Sequence, residues 1–120
     1  MALKFMDELV LKRIDALLNH IDLVINDTQG LSVKDLKIND LLVRATSFSV
    51  AQIGELMVQL EKCLSPIYKD LPWKLARGMR NMLVHDYGHA DLESLDKTIK
   101  EDLPVLKEQF LKIKTLEENS

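Results

Sequence analysis

Residues 39–64 of the chain, NDLLVRATSFSVAQIGELMVQLEKCL, decide the fold. Asn39 is a residue type that caps helix N-termini, and the stretch stops before Ser65-Pro66, where proline disfavours helical backbone in the residue before it. The apolar residues between these signals recur at helical spacing: Leu41, Leu42, Ala45, Phe48, Ile53, Leu56, Met57 and Leu60. At the 1.5 Å rise per residue of an α-helix, the predicted helix is about 35 Å long.

A partner for this helix is predicted upstream, over residues 3–27. Its apolar residues also recur at spacings of three and four, and it ends before Gly30. These residues are Leu9, Val10, Ile14, Leu17, Leu18, Ile21, Val24 and Ile25. Between the two long segments, Ser32 and Asp35 have the spacing of a weak capping box and predict a short turn of helix. The two long helices are expected to form an antiparallel pair.

A third helix is predicted to open at Asp70-Leu71-Pro72-Trp73, because Asp70 is a good N-cap and proline is tolerated in the first turn. It is expected to run to about His85. Gly88 then closes it, since glycine readily adopts the left-handed conformation found at helix ends. Trp73 at its start is interpreted as a core or interface anchor.

Two more helices complete the prediction. Asp91 is the expected N-cap of the fourth, which should break near Asp102-Leu103-Pro104, since proline lacks the N–H that a helix interior requires. The fifth should then reach about Leu116. The predicted fold class is all-α, an up-and-down helical bundle of four to five helices in a single domain over residues 1–120.

Composition agrees with this fold and excludes several classes of protein. The chain has 120 residues, 47% of them apolar, with only four glycines and three prolines. No continuous apolar run approaches the ~18 residues of a membrane span, and residues 1–8 lack the apolar core of a signal peptide. The single cysteine, Cys63, cannot form an internal disulfide. We therefore expect a cytoplasmic protein in a reducing compartment, with no membrane partner.

The charge balance argues against a protein that coats nucleic acid. The formal net charge is −3 and the pI is about 5.6, so no broad basic surface is expected and DNA is not expected as a partner. Basic residues do gather at Lys69, Lys74, Arg77 and Arg80. The usual meaning of such a group is a solvated helix face.

Residues 80–87, Arg-Asn-Met-Leu-Val-His-Asp-Tyr, concentrate polar groups with chemical uses. On a continuous α-helix, Asn81 and His85 would differ by only ~40° of rotation, while Arg80 and Tyr87 would nearly eclipse each other. Met82, Leu83 and Val84 are expected to pack inward. The polar side chains would then be held by a rigid element, as a functional site requires.

These groups can cleave RNA without a metal. Cleavage needs a base for the 2′-hydroxyl proton, an acid for the leaving 5′-oxygen and a cation for the phosphate. His85, with an ordinary pKa of ~6.5, suits either proton-transfer role, and Arg80 offers a planar fork to a phosphate. Asn81 could orient the histidine or hold a phosphate oxygen. One motif histidine per chain is one group short, so two chains pairing through their motif helices would complete the site.

Other interpretations of these residues are open at this point. A helix with arginine, asparagine and histidine is commonplace, so spacing alone also fits a solvated helix end. His85 and His89 have a spacing that can bind a metal, with Asp86 and Asp91 nearby, but Gly88 interrupts the helix between them. We expect no metal and no other cofactor. His20, among apolar residues, is interpreted as a half-buried structural histidine.

The stretch Trp73–Tyr87 closely resembles the signature of the HEPN superfamily, in particular its HepT-like ribonuclease toxins, whose pattern is Arg, four residues, His, any residue, Tyr. Three further segments also resemble that family: Ile53-Gly54-Glu55, Asp91-Leu92, and Glu101-Asp102-Leu103-Pro104-Val105-Leu106-Lys107. The likeness covers roughly residues 40–112 and, more loosely, the first helix.

The resemblance implies an all-helical homodimer, joined through the motif helices, with a metal-independent endoribonuclease site between the subunits. The product would be a 2′,3′-cyclic phosphate. By this resemblance Arg80 and His85 are the catalytic pair, and Asn81 is supporting. The resemblance further implies that Tyr87 is the residue that a minimal nucleotidyltransferase antitoxin modifies with AMP in a type VII-like toxin–antitoxin pair. Glu55 matches a family position, and we interpret it as support for Arg80.

Two alternatives accompany this hypothesis. Where many relatives have a small residue, this chain has Arg77, either a second phosphate contact or a surface residue without consequence. On sequence grounds we favour the second interpretation. The alternative function is a catalytically silent binding module that docks a nucleotidyltransferase or a nucleotide.

Overall fold

Six α-helices build the part of the chain that the computed structural model describes, residues 8–84 and 91–119, with Leu83 and Val84 as backbone only. The elements are α1 (Glu8–Thr28), α2 (Val33–Lys37), α3 (Asp40–Leu64), α4 (Leu75–Arg80), a 3₁₀ turn (Asn81–Val84), α5 (Leu92–Lys97), a π turn (Thr98–Asp102) and α6 (Leu103–Glu118). No strand occurs among these residues. The all-α prediction is confirmed.

Helix starts between α1 and α3 follow the predicted caps. The Ser32 backbone N–H donates to Asp35 Oδ2 at 2.8 Å, and Asp35 N–H donates back to Ser32 Oγ at 3.4 Å, which forms the capping box of α2. Asn39 Oδ1 accepts from the Leu42 N–H at 3.1 Å at the start of α3. Gly30, with φ of 77°, supplies the left-handed residue after α1. These side-chain bonds fix where α3 begins.

The motif helix differs from the prediction at both ends. α4 begins at Leu75 instead of at Asp70-Leu71-Pro72-Trp73, and its N-cap residue, Lys74, makes no side-chain cap hydrogen bond. The preceding backbone is wound in tight turns, with Leu75 N–H bonded to Pro72 O at 3.0 Å. Trp73 is 8% exposed and its Nε1 donates to Tyr68 O at 2.9 Å. Anchoring this indole in the core holds the segment in turns, so the helix starts one turn later.

At its C-terminal end, α4 stops at Arg80 and the chain tightens into the 3₁₀ turn. The predicted continuous α-helix to His85 is therefore wrong. A 3₁₀ helix rotates ~120° per residue, so four residues along it are offset by ~120° instead of ~40°. The expected alignment of Asn81 with the residue four positions later does not follow from this backbone. His85, Gly88 and the predicted helix end lie outside the described residues.

The predicted break at Asp102-Leu103-Pro104 is also wrong, because the chain continues through a π turn into α6. Leu103 N–H bonds to Thr98 O, five residues back. A proline ring clashes with the carbonyl four residues before it, and a wider turn relieves that clash without ending the helix. Asp91 does precede α5, but its side chain makes no cap hydrogen bond there. α6 ends at Glu118, two residues beyond the prediction.

α6 covers α1 and closes the core. Ion pairs join the two helices at Asp22–Lys107 (2.7 Å) and Asp15–Lys114 (2.8 Å), and the order of these pairs shows that the helices run antiparallel. The Asp15 carboxylate raises the pKa of Lys114. Fully buried side chains from α1, α3 and α6 fill the space between the helices: Ile14, Leu17, Ile21, Ile53, Met57, Leu60, Leu103, Leu106 and Phe110.

Part of the predicted apolar face of α3 lies outside this core. Leu41 is 71% exposed, Phe48 is 50% exposed, and Ala45 between them is also exposed. These positions fall on the side of α3 opposite Ile53 and Met57. We call Leu41, Ala45 and Phe48 the open face of α3.

α3 is also the one described helix that is long and apolar enough to cross a membrane by length and composition alone. Core helices of globular proteins pass the same test, and 44% of its most apolar window is buried here. Its apolar character is that of a helix with one side in the core.

Candidate active site at the end of the motif helix

A close backbone contact sets α4 against α3. A Cβ placed on Gly54 would lie 2.6 Å from Ala76 O and 2.8 Å from the Met79 carbonyl carbon, and would also collide with the Arg80 backbone N. All three atoms belong to the backbone of α4, so no side-chain rotation could relieve the overlap. Glycine at position 54 therefore determines how closely the motif helix approaches α3, and hence where the backbone of Arg80 lies.

Arg80 meets an acidic side chain of the neighbouring helix. Its Nη1 lies 3.9 Å from Glu55 Oε1, and both side chains are 42% exposed. Gln59, one turn further along α3, donates from Nε2 to the other carboxylate oxygen, Glu55 Oε2, at 3.1 Å. The amide thus holds one oxygen of Glu55 while the other faces the guanidinium. Exposed ion pairs contribute only ~0–1 kcal/mol to stability, so this contact adds little to the stability of the fold.

The structure describes only some of the other predicted site residues. Asn81 follows Arg80 directly as the first residue of the 3₁₀ turn, and it is exposed. The structure therefore brings Arg80 to Glu55, with Asn81 next to Arg80 along the chain. His85 and Tyr87 lie outside the described residues. Met82 is 5% exposed and packs inward as predicted, but the side chains of the next two residues are also outside the description.

Clefts flank α4 on two sides. One, of about 340 Å³, is lined by Glu61, Trp73, Lys74 and Arg77. The other, of about 330 Å³, separates α4 from α5 and the π turn, and one wall carries Ser94, Thr98 and Asp102. Burial raises the pKa of the Asp102 carboxyl above its ordinary value. Arg80 lies on the side of α4 that faces α3 and Glu55, away from this second cleft.

Metal ligands do not converge in the described ranges: no group of three His, Cys, Asp or Glu side chains could hold an ion within 8–84 and 91–119. The spacing considered in the sequence, His85 with His89 and Asp86, falls outside them. His20 has the structural role predicted for it. Its Nδ1 lies 3.4 Å from Ser49 Oγ, and burial lowers its pKa.

Two contributors to the site escape sequence reasoning. Gln59 lies four residues after Glu55, the separation at which helix side chains interact, and this is the available signal. Gln59 matches no motif, so nothing singles it out. The steric role of Gly54 depends on where α4 packs against α3. The sequence around Gly54 does not reveal that packing.

These features define a class: an all-α domain of the HEPN type, with a motif arginine fixed beside an acidic residue of its long central helix. Comparison with known proteins specifies the family. The family model described as Ribonuclease HepT-like matches residues 11–113, and the chain belongs to that family of ribonucleases.

Named relatives agree with this assignment. A candidate RNase of Methanocaldococcus jannaschii is 31% identical over 103 residues, which cover 85% of this chain and 89% of the relative. A candidate ribonuclease HepT of Thermococcus cleftensis is 31% identical over 98 residues, which cover 78% of this chain and 86% of the relative. A candidate RNase of Caldanaerobacter subterraneus is 29% identical over 100 residues, which cover 83% of this chain and 89% of the relative. No solved structure matches the chain significantly.

Proposed function

We propose that the chain is a metal-independent endoribonuclease toxin that cleaves RNA at a cleft between two subunits and is neutralised by AMP addition to Tyr87. The observation that carries the proposal is the placement of Arg80. The close contact at Gly54 brings it beside Glu55, and it comes immediately before the Asn81–His85 stretch of the motif. Membership of a ribonuclease family supports RNA as the substrate.

The chemistry follows from the side chains. His85 removes the proton from a ribose 2′-hydroxyl, whose oxygen attacks the adjacent phosphorus. The bond from phosphorus to the 5′-oxygen breaks, and a second histidine gives that oxygen its proton. Arg80 stabilises the negative charge that develops on the phosphoryl oxygens. The products are a 2′,3′-cyclic phosphate and a 5′-hydroxyl, with no water consumed and no metal required.

The second histidine would come from a second copy of the chain. The open face of α3 supports this arrangement, because exposed apolar groups on adjacent turns favour coverage by another protein surface. Phe48 lies seven residues, two helical turns, before Glu55, so both fall on the same side of α3. A homodimer formed over this face would bring two copies of Arg80 towards one cleft.

Control by a nucleotidyltransferase follows from electrostatics. AMP attached to the phenol of Tyr87 adds one negative charge and considerable bulk beside groups that attract an RNA phosphate. RNA binding is then opposed by repulsion and by blockage. The cognate antitoxin would be a minimal nucleotidyltransferase that uses the phenol as its acceptor.

Purified protein tests the activity. We expect it to cleave RNA in excess EDTA and to leave 2′,3′-cyclic phosphate ends, and we expect Arg80→Ala and His85→Ala each to lower the rate at least ~100-fold by removing charge stabilisation and proton transfer. Arg13→Ala, on α1, is the matched control and should retain activity, with circular dichroism confirming helical content. Activity that survives both substitutions would reject the assignment. Wild-type protein that binds a nucleotidyltransferase but cleaves no RNA would favour the silent binding module.

Mass spectrometry tests the modification separately. After co-expression with the cognate nucleotidyltransferase, the intact mass should increase in steps of one AMP, and Tyr87→Phe should abolish the increase. Tyr68→Phe is the control, since it removes the other phenol of the chain and should still be modified. A mass that does not change, or an increase that persists in Tyr87→Phe, would contradict this part of the proposal.

A further inference from the structure

Three cations lie on successive turns, from the N-cap of α4 to its last residue. Lys74, Arg77 and Arg80 are three residues apart and all exposed. Each step advances ~4.5 Å along the helix and rotates ~60°, so the row crosses the helix surface at a slant. Its total rise is ~9 Å, and a stacked strand advances ~3.4 Å per nucleotide, so the row covers two or three phosphates.

Two members of this row have no acidic partner among the described residues. Within the described parts of the chain, no carboxylate lies within 4 Å of the Lys74 or Arg77 side-chain nitrogens, although Glu61 lines the same cleft. Elsewhere, lysines of α6 are paired, as Lys107 is with Asp22 and Lys114 with Asp15. Within the described residues, the charges at positions 74 and 77 are therefore not neutralised by an ion pair.

The surface beneath these two cations is firmly held. Trp73 forms a wall of the 340 Å³ cleft and is fixed on two sides, by its hydrogen bond to Tyr68 O and by an edge-to-face contact with Phe110 at 6.1 Å between ring centroids. An indole packed in this way offers no free face for a base to stack on. The cleft is therefore suited to recognising a charged backbone more than bases.

We propose that Lys74 and Arg77 bind backbone phosphates of single-stranded RNA next to the phosphate that Arg80 holds. This inference rests on the proposed ribonuclease function and adds the substrate class and its path over the protein. It gives Arg77 the phosphate-contact role that sequence alone ranks second.

Two observations favour a single strand over a duplex. The basic row is narrow and the chain carries a net charge of −3, whereas a duplex presents phosphates over a wide surface. In addition, the 2′-oxygen must turn into line with the leaving 5′-oxygen, and a flexible single strand permits this turn more easily than A-form geometry.

Binding of an uncleavable ligand tests the proposal without requiring activity. The probe is a 12-nucleotide RNA with 2′-O-methyl groups throughout, and the variant is Lys74→Ala/Arg77→Ala. We expect its affinity at low salt to fall about tenfold or more, and the slope of log K against log salt to decrease by ~1.4, which is ~0.7 for each of two lost contacts to a single strand. Lys34→Ala/Lys37→Ala, which removes two exposed lysines from α2, should change affinity less than twofold.

Cleavage adds a second readout. Wild type and the α2 control should gain kcat/KM when the substrate lengthens from a dinucleotide to a 12-mer, and that gain should shrink in Lys74→Ala/Arg77→Ala. An unchanged affinity and salt slope in this variant, no RNA binding by wild type, or tighter binding of a matched duplex would overturn the inference. Salt-dependent binding that the variant weakens, without any cleavage by wild type, would retain it and reject the ribonuclease proposal alone.

Discussion

At the scale of single residues, Arg80 depends on a neighbour for its orientation. It is the last residue of a six-residue helix, so few side chains of its own helix surround it. Glu55 lies 3.9 Å away, and Gln59 holds the far oxygen of that carboxylate at 3.1 Å. We therefore propose that Glu55 positions Arg80, and we expect its effect to appear in catalysis more than in stability.

Replacing Glu55 by glutamine tests this role. Glu55→Gln keeps the shape and removes the charge, so the guanidinium loses its fixed direction. We expect kcat to fall about tenfold with a smaller change in KM, since orientation affects the reacting geometry more than binding. The free energy of unfolding should change by less than ~1 kcal/mol, as expected for an exposed ion pair.

Steady-state kinetics and chemical denaturation measure the two effects. Glu93→Gln, an exposed glutamate on α5, is the control for loss of one negative charge. A Glu55→Gln protein with wild-type kcat, or one that loses activity in proportion to stability, would show that the carboxylate does not position Arg80.

At the scale of helices, the contact between α3 and α4 is controlled by one missing side chain. Gly54 allows backbone of the two helices to meet directly, while Gly78, in α4 itself, has open space where a Cβ would stand. The two glycines therefore have opposite tolerances although both are helical. This contrast provides a matched pair of variants.

We expect Gly54→Ala to force α4 away from α3, to destabilise the protein by ~1–3 kcal/mol through overpacking, and to reduce activity further by displacing Arg80. Gly78→Ala should be neutral or stabilising by up to ~1 kcal/mol, since alanine favours a helix over glycine. Thermal denaturation and RNA cleavage measure both outcomes. Equal behaviour of the two variants would contradict the close-contact explanation.

Sequence predicts some elements of this fold well and others poorly, for identifiable reasons. Ser32, Asp35 and Asn39 act through hydrogen bonds to residues three positions away, so local sequence suffices to place α2 and α3. The late start of α4 depends on burial of Trp73 against Phe110, a contact distant in sequence. In the site, the resemblance pointed to Glu55 and Arg80, but Gln59 and the steric role of Gly54 became evident only once the helices were packed.

At the scale of the whole molecule, the described surface has an exposed apolar area along α3. Phe48 is 50% exposed and Leu41 is 71% exposed, while the opposite side of the helix is fully buried. If a second copy covers this open face, a charge placed there should separate the subunits. Val105 on α6, 51% exposed, is apolar and equally accessible but lies on another element.

Phe48→Glu is expected to weaken the dimer at least ~100-fold, because an unpaired carboxylate at the centre of an interface loses its hydration. Cleavage should fall with dimer content, since each cleft of the proposed dimer would need groups from two chains. Val105→Glu should leave the affinity of the dimer and the rate of cleavage unchanged. Light scattering across a range of protein concentrations gives the mass. A Phe48→Glu protein that remains dimeric and active would place the interface elsewhere.

The π turn between α5 and α6 has a consequence for how this chain tolerates changes in length. A turn closed by a bond from Leu103 N–H to Thr98 O contains one residue more than an α turn, and it lies in a continuous helix just before Pro104. Loss of one residue within Thr98–Asp102 would convert it to an ordinary α turn and restore the clash between the Pro104 ring and the carbonyl four residues before it. We therefore expect a one-residue deletion in this segment to keep α6 packed on α1 only when Pro104 is replaced as well.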